Sequence, residues 1–320
     1  MYSVELYMPV NDPHDRYFHK VMSINIVAQQ LLQWFLPQYL KENLNFSTLN
    51  LDNGSYIDKK LNKSMSDVVF NCQYLHNSSS NTNNSKIIIF IEHQSTAQFL
   101  MPVRIYHYMF AMINKIIQSR DKKERNKPLP DIYPIVFYNG KTKRYPFSTK
   151  LIDCFENNFG VMNSFSQLNL QLININSLTR DETLTHGLAG IMTEAMKRSS
   201  VKQTQHNYMA ILKKLAQLEL QTAIPDGFTT TTIEYMMNVK HIDNLDQLIE
   251  QNMQLAISVR GEAMTIAEAF EARGKEAGLI EGKLAVANNL LKEGISVEIV
   301  VKTTGLTVEE VNQLISQNNE

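Results

Sequence analysis

The stretch KIIIFIEHQ, residues 86 to 94, constrains the chain more than any other. Five apolar residues follow Lys86 with no polar break. Successive side chains of a strand point to opposite faces, so an apolar run without alternation reads as a strand buried on both sides, as at the centre of a mixed sheet. The run then meets Glu92 and, two places on, Gln94. Those two share a face. A buried strand has little reason to end on a charge, which makes them the first candidates for function.

The flanking sequence supplies partners for such a strand. Asp12-Pro13 reads as a helix start, and Phe18, Val21, Met22, Ala28, Leu31 and Phe35 recur at helical spacing as far as Pro37. STLNLDNGSYIDK alternates and carries an Asn-Gly turn signal, so it reads as a strand; Val68 to Leu75 reads as a second. HNSSSNTNNS, residues 76 to 85, has nothing to bury and reads as an exposed loop. After the central strand, Ser95 or Thr96 can cap a helix with Pro102 in its first turn. Val103, Tyr106, Met109, Phe110, Ile113 and Ile117 would form its apolar face. IYPIVFYNG is a further buried strand closed by Asn139-Gly140, and Pro134, which cannot donate to a ladder, belongs at a bulge or sheet edge. Residues 12 to 140 thus read helix, strand, strand, strand, helix, strand. A ladder near Leu168 to Leu172 can add one more strand.

Beyond about residue 176 the pattern is helical. Leu184, Leu188, Ile191, Met192 and Ala195 mark one helix; Tyr208, Ile211, Leu212, Leu215 and Leu218 mark another. A Thr run at 229–232 leads into a short helix at 232–239. From Gly261 a long polar helix carries Gly274, Gly278 and Gly282 four apart, either a close-approach face for another helix or a weakened, bent stretch. The tail reads as two short helices around Gly305, with Thr307 as N-cap and Glu310 completing a capping box. The expected organisation is a mixed α/β unit over 1–160, a mainly helical extension over 161–258, and a long helix with a two-helix tail over 259–320. That last part would serve assembly into a homo-oligomer or assist at DNA.

Several classes are excluded or disfavoured. With a net charge of −1 the overall field does not attract phosphate, so nucleic acid would need a local basic patch or a metal. Cys72 and Cys154 fit neither a zinc spacing nor a disulfide framework, no apolar run approaches a membrane span, and the first residues lack a secretory pattern. A cytoplasmic protein is expected. No Gly-rich phosphate loop is present, which argues against an ATPase or kinase. His14, His19, His93 and His107 share no zinc-ligand spacing and read as packing or surface residues.

If the strands flanking residues 76–85 form an antiparallel hairpin with Leu75 opposite Lys86, then Asp67 faces Gln94 and Val69 faces Glu92. Asp67, Glu92 and Gln94 then share one face; a slip of one residue would separate them. Two adjacent carboxylates repel unless a proton or cation lies between them. Hard oxygen ligands with room for water suit Mg²⁺ or Mn²⁺. Spacing alone leaves two readings open: a cation site, or a strand cap and a rim charge. Asp15 is either a third acid or a first-turn residue favoured by the helix dipole. Arg104 and Tyr108, one turn apart, can reach phosphate or stack on each other. Lys141, Lys143 and Arg144 form either a DNA-backbone patch or a solvated turn.

The order of elements, with Asp67 opening the second strand and Glu92-x-Gln94 closing the third, resembles the PD-(D/E)XK nuclease core. The segments HDRYFHKVMS, STLNLDNGSYIDKKLNKSMSDVVF, IIIFIEHQSTAQFLMPVRIYHYM and IYPIVFYNGKTKRYPFST, spanning residues 12 to 155 in order, resemble more narrowly the Rpn family of recombination-promoting nucleases, or YhgA-like transposases. The Gly-x-x-x-Gly helix and LLKEGISVEIVVKTTGLTVEEV are similar to that family's C-terminus. The resemblance implies that Asp67 and Glu92 are metal-binding acids. Gln94 stands where the wider superfamily has lysine, which leaves open what activates the nucleophile. It implies a metal-dependent DNA endonuclease that promotes recombination or mobile-element movement. The alternative is a non-catalytic DNA- or protein-binding regulator on the same scaffold. The two last helices resemble a helix-turn-helix but carry few basic residues, which favours self-association.

Overall fold

Residues 13–52, 68–75, 86–124, 126–156, 169–197, 201–239 and 257–318 are described by the computed structural model of the chain. Three helices, α1 (Pro13–Met22), α2 (Asn25–Phe35) and α3 (Gln38–Lys41), lead into β1 (Leu44–Leu51), β2 (Val68–Tyr74) and β3 (Lys86–Gln94). Then come α4 (Met101–Ser119), β4 (Asp131–Tyr138) and β5 (Gln171–Asn174). The rest is helical: α5 (Arg180–Leu184), α6 (Gly187–Met196), α7 (Val201–Gln221), α8 (Phe228–Val239), α9 (Ile257–Lys292), α10 (Val297–Thr304) and α11 (Val308–Asn318).

The strands form one five-stranded sheet in the order β1-β2-β3-β4-β5. β3 is central, antiparallel to β2 and parallel to β4, which explains its unbroken apolar run. Ile87, Ile89 and Ile91 enter a core shared with α1, α2, α6, α7 and α8. Ile88 and Phe90 enter a second core under α4. Each such buried side chain contributes roughly 1.5–3 kcal/mol. Pro134 lies where β4 has β3 on one side only, because β5 pairs from Ile135 onward.

The structure differs from the sequence expectation at five places. The first helix breaks after Met22, with Ile24 extended, and α2 turns onto β1, where Asn25 Nδ2 donates to the Leu49 carbonyl (3.1 Å) and Gln29 Nε2 to that of Phe46 (2.9 Å). The Asp12 cap lies outside the described residues, as does the sequence after Asp52 that was expected to continue the first strand. The β2–β3 register is displaced by two residues: Val69 pairs with Phe90, and Gln73 with Lys86. An even displacement preserves the face, so odd positions of β2 still share the side of Glu92. α4 is preceded by Leu100 without a side-chain cap, and its buried residues are Met101, Pro102, Ile105, Tyr106, Tyr108, Met112 and Ile116, of which only Tyr106 was on the expected face. Val103, Phe110 and Ile117 are exposed instead. The threonines of the 229–232 run lie inside α8, where Thr229, Thr231 and Thr232 are buried and the Thr232 hydroxyl meets Tyr17 Oη at 3.1 Å. Finally, a Cβ at Gly274, Gly278 or Gly282 would meet nothing within 4 Å, so no described residue packs closely on that face.

The tail has its own small core of Ala287, Val300, Leu306 and Val311. Gly305, in the left-handed region at φ 67°, ends α10, and its N–H donates to the Val301 carbonyl (2.9 Å). Thr307 and Glu310 form the expected reciprocal cap: the Glu310 N–H donates to Thr307 Oγ1 (3.2 Å) and the Thr307 N–H to Glu310 Oε2 (2.8 Å).

Candidate functional site

The last three residues of β3 lie beside the last three of β4: Glu92 pairs with Val136, His93 with Phe137 and Gln94 with Tyr138. Alternation sends Glu92 and Gln94 toward α4 and His93 toward α1. Glu92 is fully buried at 0% exposure. Its Oε1 accepts a hydrogen bond from Gln94 Nε2 (2.6 Å) and forms an ion pair with Arg104 Nη2. Among the described residues its Oε2 is buried with no hydrogen-bond partner. Burial pushes the carboxyl up to about 7 against the pull of Arg104 and Gln94, and the charge of Asp15 adds to the rise. A buried carboxylate oxygen without a partner is costly, so the pocket is electrostatically incomplete and suited to receive a cation.

Arg104 reaches Glu92 from the first turn of α4. Its Nε donates to Tyr108 Oη (2.8 Å) and its Nη1 to Gln98 Oε1 (3.2 Å). Gln98 is held in turn, because Tyr145 Oη donates to its carbonyl at 3.0 Å. Stacking on Tyr108 and contact with the acid therefore coexist: the guanidinium carbon is 5.5 Å from that ring's centroid. Arg104 keeps 24% of its side chain exposed, so the ion pair borders solvent.

On the opposite face, His93 Nδ1 bonds to Asp15 and Nε2 lies 3.1 Å from Asn139 Oδ1. Phe18 stacks on the imidazole at 5.0 Å between centroids. This chain of contacts pins α1 to the sheet end and explains why Asp15, a first-turn acid, also acts on Glu92 through space. The sequence reading of His93 was a packing or surface residue; its link to Asp15 and Asn139 was missed. The available signal was its place between Glu92 and Gln94, which forces it to the face where the first helix packs.

Glu92 and Gln94 thus meet on one face, and Arg104 joins them. Asp67 lies outside the described residues. Lys141, Lys143 and Arg144 are exposed in the loop that leaves the sheet after Tyr138, at the same end as Gln94. The Lys143 carbonyl accepts from Asn174 Nδ2 (2.8 Å), which ties that loop to β5. Gly140 opens it because no side chain fits: a Cβ there would sit 2.2 Å from Tyr138 Oη. Among the described residues no group of three or more His, Cys, Asp or Glu is disposed to hold a metal ion, so Glu92 would need a ligand from elsewhere. No helix among them is long and apolar enough to cross a membrane.

Comparison with known proteins adds an independent line. Residues 12–224 match the family described as "Putative transposase, YhgA-like". Residues 281–316 match "Rpn/YhgA-like nuclease family, C-terminal HTH domain". Among curated proteins of Escherichia coli K12, the chain is 26% identical to the inactive recombination-promoting nuclease-like protein RpnE, over 94% of this chain and 97% of the relative. It is 27% identical to the recombination-promoting nuclease RpnC, over 96% and 98%. Identity to the recombination-promoting nuclease RpnA is 23%, over 93% and 96%. No solved structure matches. With the first family description covering well over half its length, and with the expected order of helices and strands, the chain belongs to the YhgA-like family of Rpn nucleases and transposases.

Proposed function

We propose that this chain is a metal-dependent DNA endonuclease that hydrolyses phosphodiester bonds at the β3 end of its sheet, in support of recombination or mobile-element movement. The observation that carries the reading is Glu92, a fully buried carboxylate with one oxygen held by Gln94 and Arg104 and the other unpartnered among the described residues. Glu92 together with Asp67 would hold Mg²⁺ or Mn²⁺. Odd-numbered positions of β2 share the face of Glu92, and the same alternation carried one residue before Val68 would bring in Asp67. The ion would polarise the phosphodiester and lower the pKa of an attacking water. Gln94 fixes the orientation of the Glu92 carboxylate. Its amide donates and accepts but carries no proton away, so it orients rather than deprotonates. Lys141, Lys143 and Arg144 would contact the DNA backbone at the same end of the sheet. A PD-(D/E)XK arrangement would account for α1, β1 to β3, α4 and β4, to which α2, α3 and β5 are additions. The names of RpnA and RpnC support nuclease activity in the family.

The test is plasmid cleavage by wild type and Asp67→Ala with Mg²⁺ and with EDTA. Cleavage by wild type alone, lost in EDTA, is expected; equal cleavage by both proteins ends this mechanism. One observation favours a second reading, a nuclease-like binding protein without turnover. Arg104 already neutralises Glu92, and a relative of nearly the chain's full length is named inactive. That reading predicts no titratable Mn²⁺ site in wild type by calorimetry. The first predicts a site that Glu92→Ala removes.

A further inference from the structure

The geometry points to Arg104 as a phosphate-operated latch: it closes the Glu92 pocket in the free protein and opens it by exchanging the carboxylate for a phosphodiester oxygen of bound DNA. The inference rests on the functional reading above and adds a regulation to that site.

Four observations carry it. Arg104 contacts Glu92 through one terminal nitrogen only, at Oε1, although a guanidinium can engage both carboxylate oxygens at once. Its side chain lies at the pocket mouth with 24% exposure, whereas Glu92 is wholly enclosed, so the cation can move and the anion cannot. Its remaining contacts, Tyr108 Oη and Gln98 Oε1, are neutral acceptors that leave the positive charge uncompensated if Glu92 is lost. Lastly, Gln98 is anchored to Tyr145, the residue after the Lys141–Arg144 loop, so the support of Arg104 is mechanically joined to the exposed basic segment.

The electrostatics set the direction. A guanidinium and a divalent cation compete for one carboxylate and repel each other in a low-dielectric pocket. An incoming phosphodiester offers the guanidinium an anion of better geometry and removes that competition. Metal and DNA then bind cooperatively, each weakening the closed state that opposes the other. Nothing is bound tightly until both are present, which restrains cleavage by the free protein.

The test uses the full-length protein as wild type, Arg104→Met and Arg104→Lys, with Glu92→Gln as the reference for the metal site. Calorimetry with Mn²⁺ at pH 8.5, without DNA, is expected to show Arg104→Met binding tighter than wild type by about tenfold, as removal of a competing charge at this range implies. Fluorescence anisotropy with a short labelled duplex in EDTA is expected to show the same variant binding more weakly. The slope of log affinity against log salt should shrink by about one phosphate contact. Arg104→Lys, which keeps the charge without the fork, should fall between on both measures. It also serves as the readable variant if Arg104→Met does not fold. Unchanged or weaker Mn²⁺ binding in both Arg104 variants, while Glu92→Gln abolishes the wild-type site, overturns the latch and leaves the metal reading standing. Absence of a Mn²⁺ site in every protein overturns both.

Discussion

Glu92→Gln is the most informative single substitution, because its effect can be worked out before any ligand is added. The folded carboxyl lies at about 7 and its ordinary value is 4.5. Between those values the folded state keeps a proton that the unfolded chain has released. Stability therefore falls as pH rises through this window, and the full cost is present above about 7. At about 1.36 kcal/mol per pH unit the cost comes to roughly 3 kcal/mol. Glutamine keeps the shape and the hydrogen-bonding capacity but never ionises, so this pH dependence disappears. The pull of Arg104 on the ionised carboxylate is already contained in that value, so it adds no separate pH-dependent change.

The assay is urea unfolding of wild type and variant in EDTA at pH 5 and pH 8. The difference between the two proteins at each pH cancels every other titrating group. The variant should gain about 2.5 kcal/mol relative to wild type on going from pH 5 to pH 8, because a small part of the cost is already present at pH 5, with unchanged m-values. Parallel profiles would refute the reasoning: Glu92 would then be an ordinary charged residue, and its burial would impose no demand for a cation. Saturating Mg²⁺ at pH 8 should return a comparable amount to wild type alone, about 2.7 kcal/mol at one hundred times the dissociation constant.

Other outcomes follow from the same structure. The triple variant Lys141→Ala/Lys143→Ala/Arg144→Ala should lower the salt slope of duplex binding by up to about three contacts and leave Mn²⁺ affinity unchanged, measured by anisotropy and calorimetry. Ile105→Ala, under α4, should cost about 2–5 kcal/mol in urea unfolding, whereas Phe110→Ser on its exposed side should stay within about 0.5 kcal/mol. Thr307→Ala removes the reciprocal cap of α11 and should destabilise the tail by about 0.5–2 kcal/mol, read as faster amide exchange confined to α10 and α11.

The order of elements and the convergence of Glu92 with Gln94 were legible because both follow from the strand period of two. β3 could hardly be anything but central, and two positions separated by one must share a face. What was not legible depended on choices that periodicity leaves free. α4 is apolar on nearly every side, so the stripe through Val103 and Phe110 competed with the stripe through Ile105 and Met112; only the sheet beneath decides between them. Residues 76–85, expected to form an exposed loop, lie outside the described residues, and their polar sequence carries no signal that fixes the register between β2 and β3; a shift by an even number of residues moves partners without changing faces. The ion pair of Arg104 with Glu92 joins a strand to the helix after it, at a spacing no local rule marks. The sequence leaves His93 as either a packing or a surface residue, because no zinc-ligand spacing includes it. Its role came from the α1 face it must occupy.

On the proposed function, the site and the tail would divide the work of binding DNA unevenly. The region matched to a helix-turn-helix domain, 281–316, holds three lysines against five glutamates, a net charge of −2. Its last helix, VEEVNQLISQN, contains two glutamates and no basic residue. Phosphate affinity arises from counterion release by Lys and Arg, so such a helix brings shape to a groove but little attraction to the backbone. Lys141, Lys143 and Arg144 are exposed in the loop after β4, at the sheet end where Glu92 lies buried, so the electrostatic part of a grip on DNA would fall there. On the proposed function, a chain with a net charge of −1, a weakly charged tail and a carboxylate made costly by burial would be poorly equipped to bind DNA or metal singly. The same features would suit it to bind them together, because each ligand would supply the opposite charge that the other and the pocket lack.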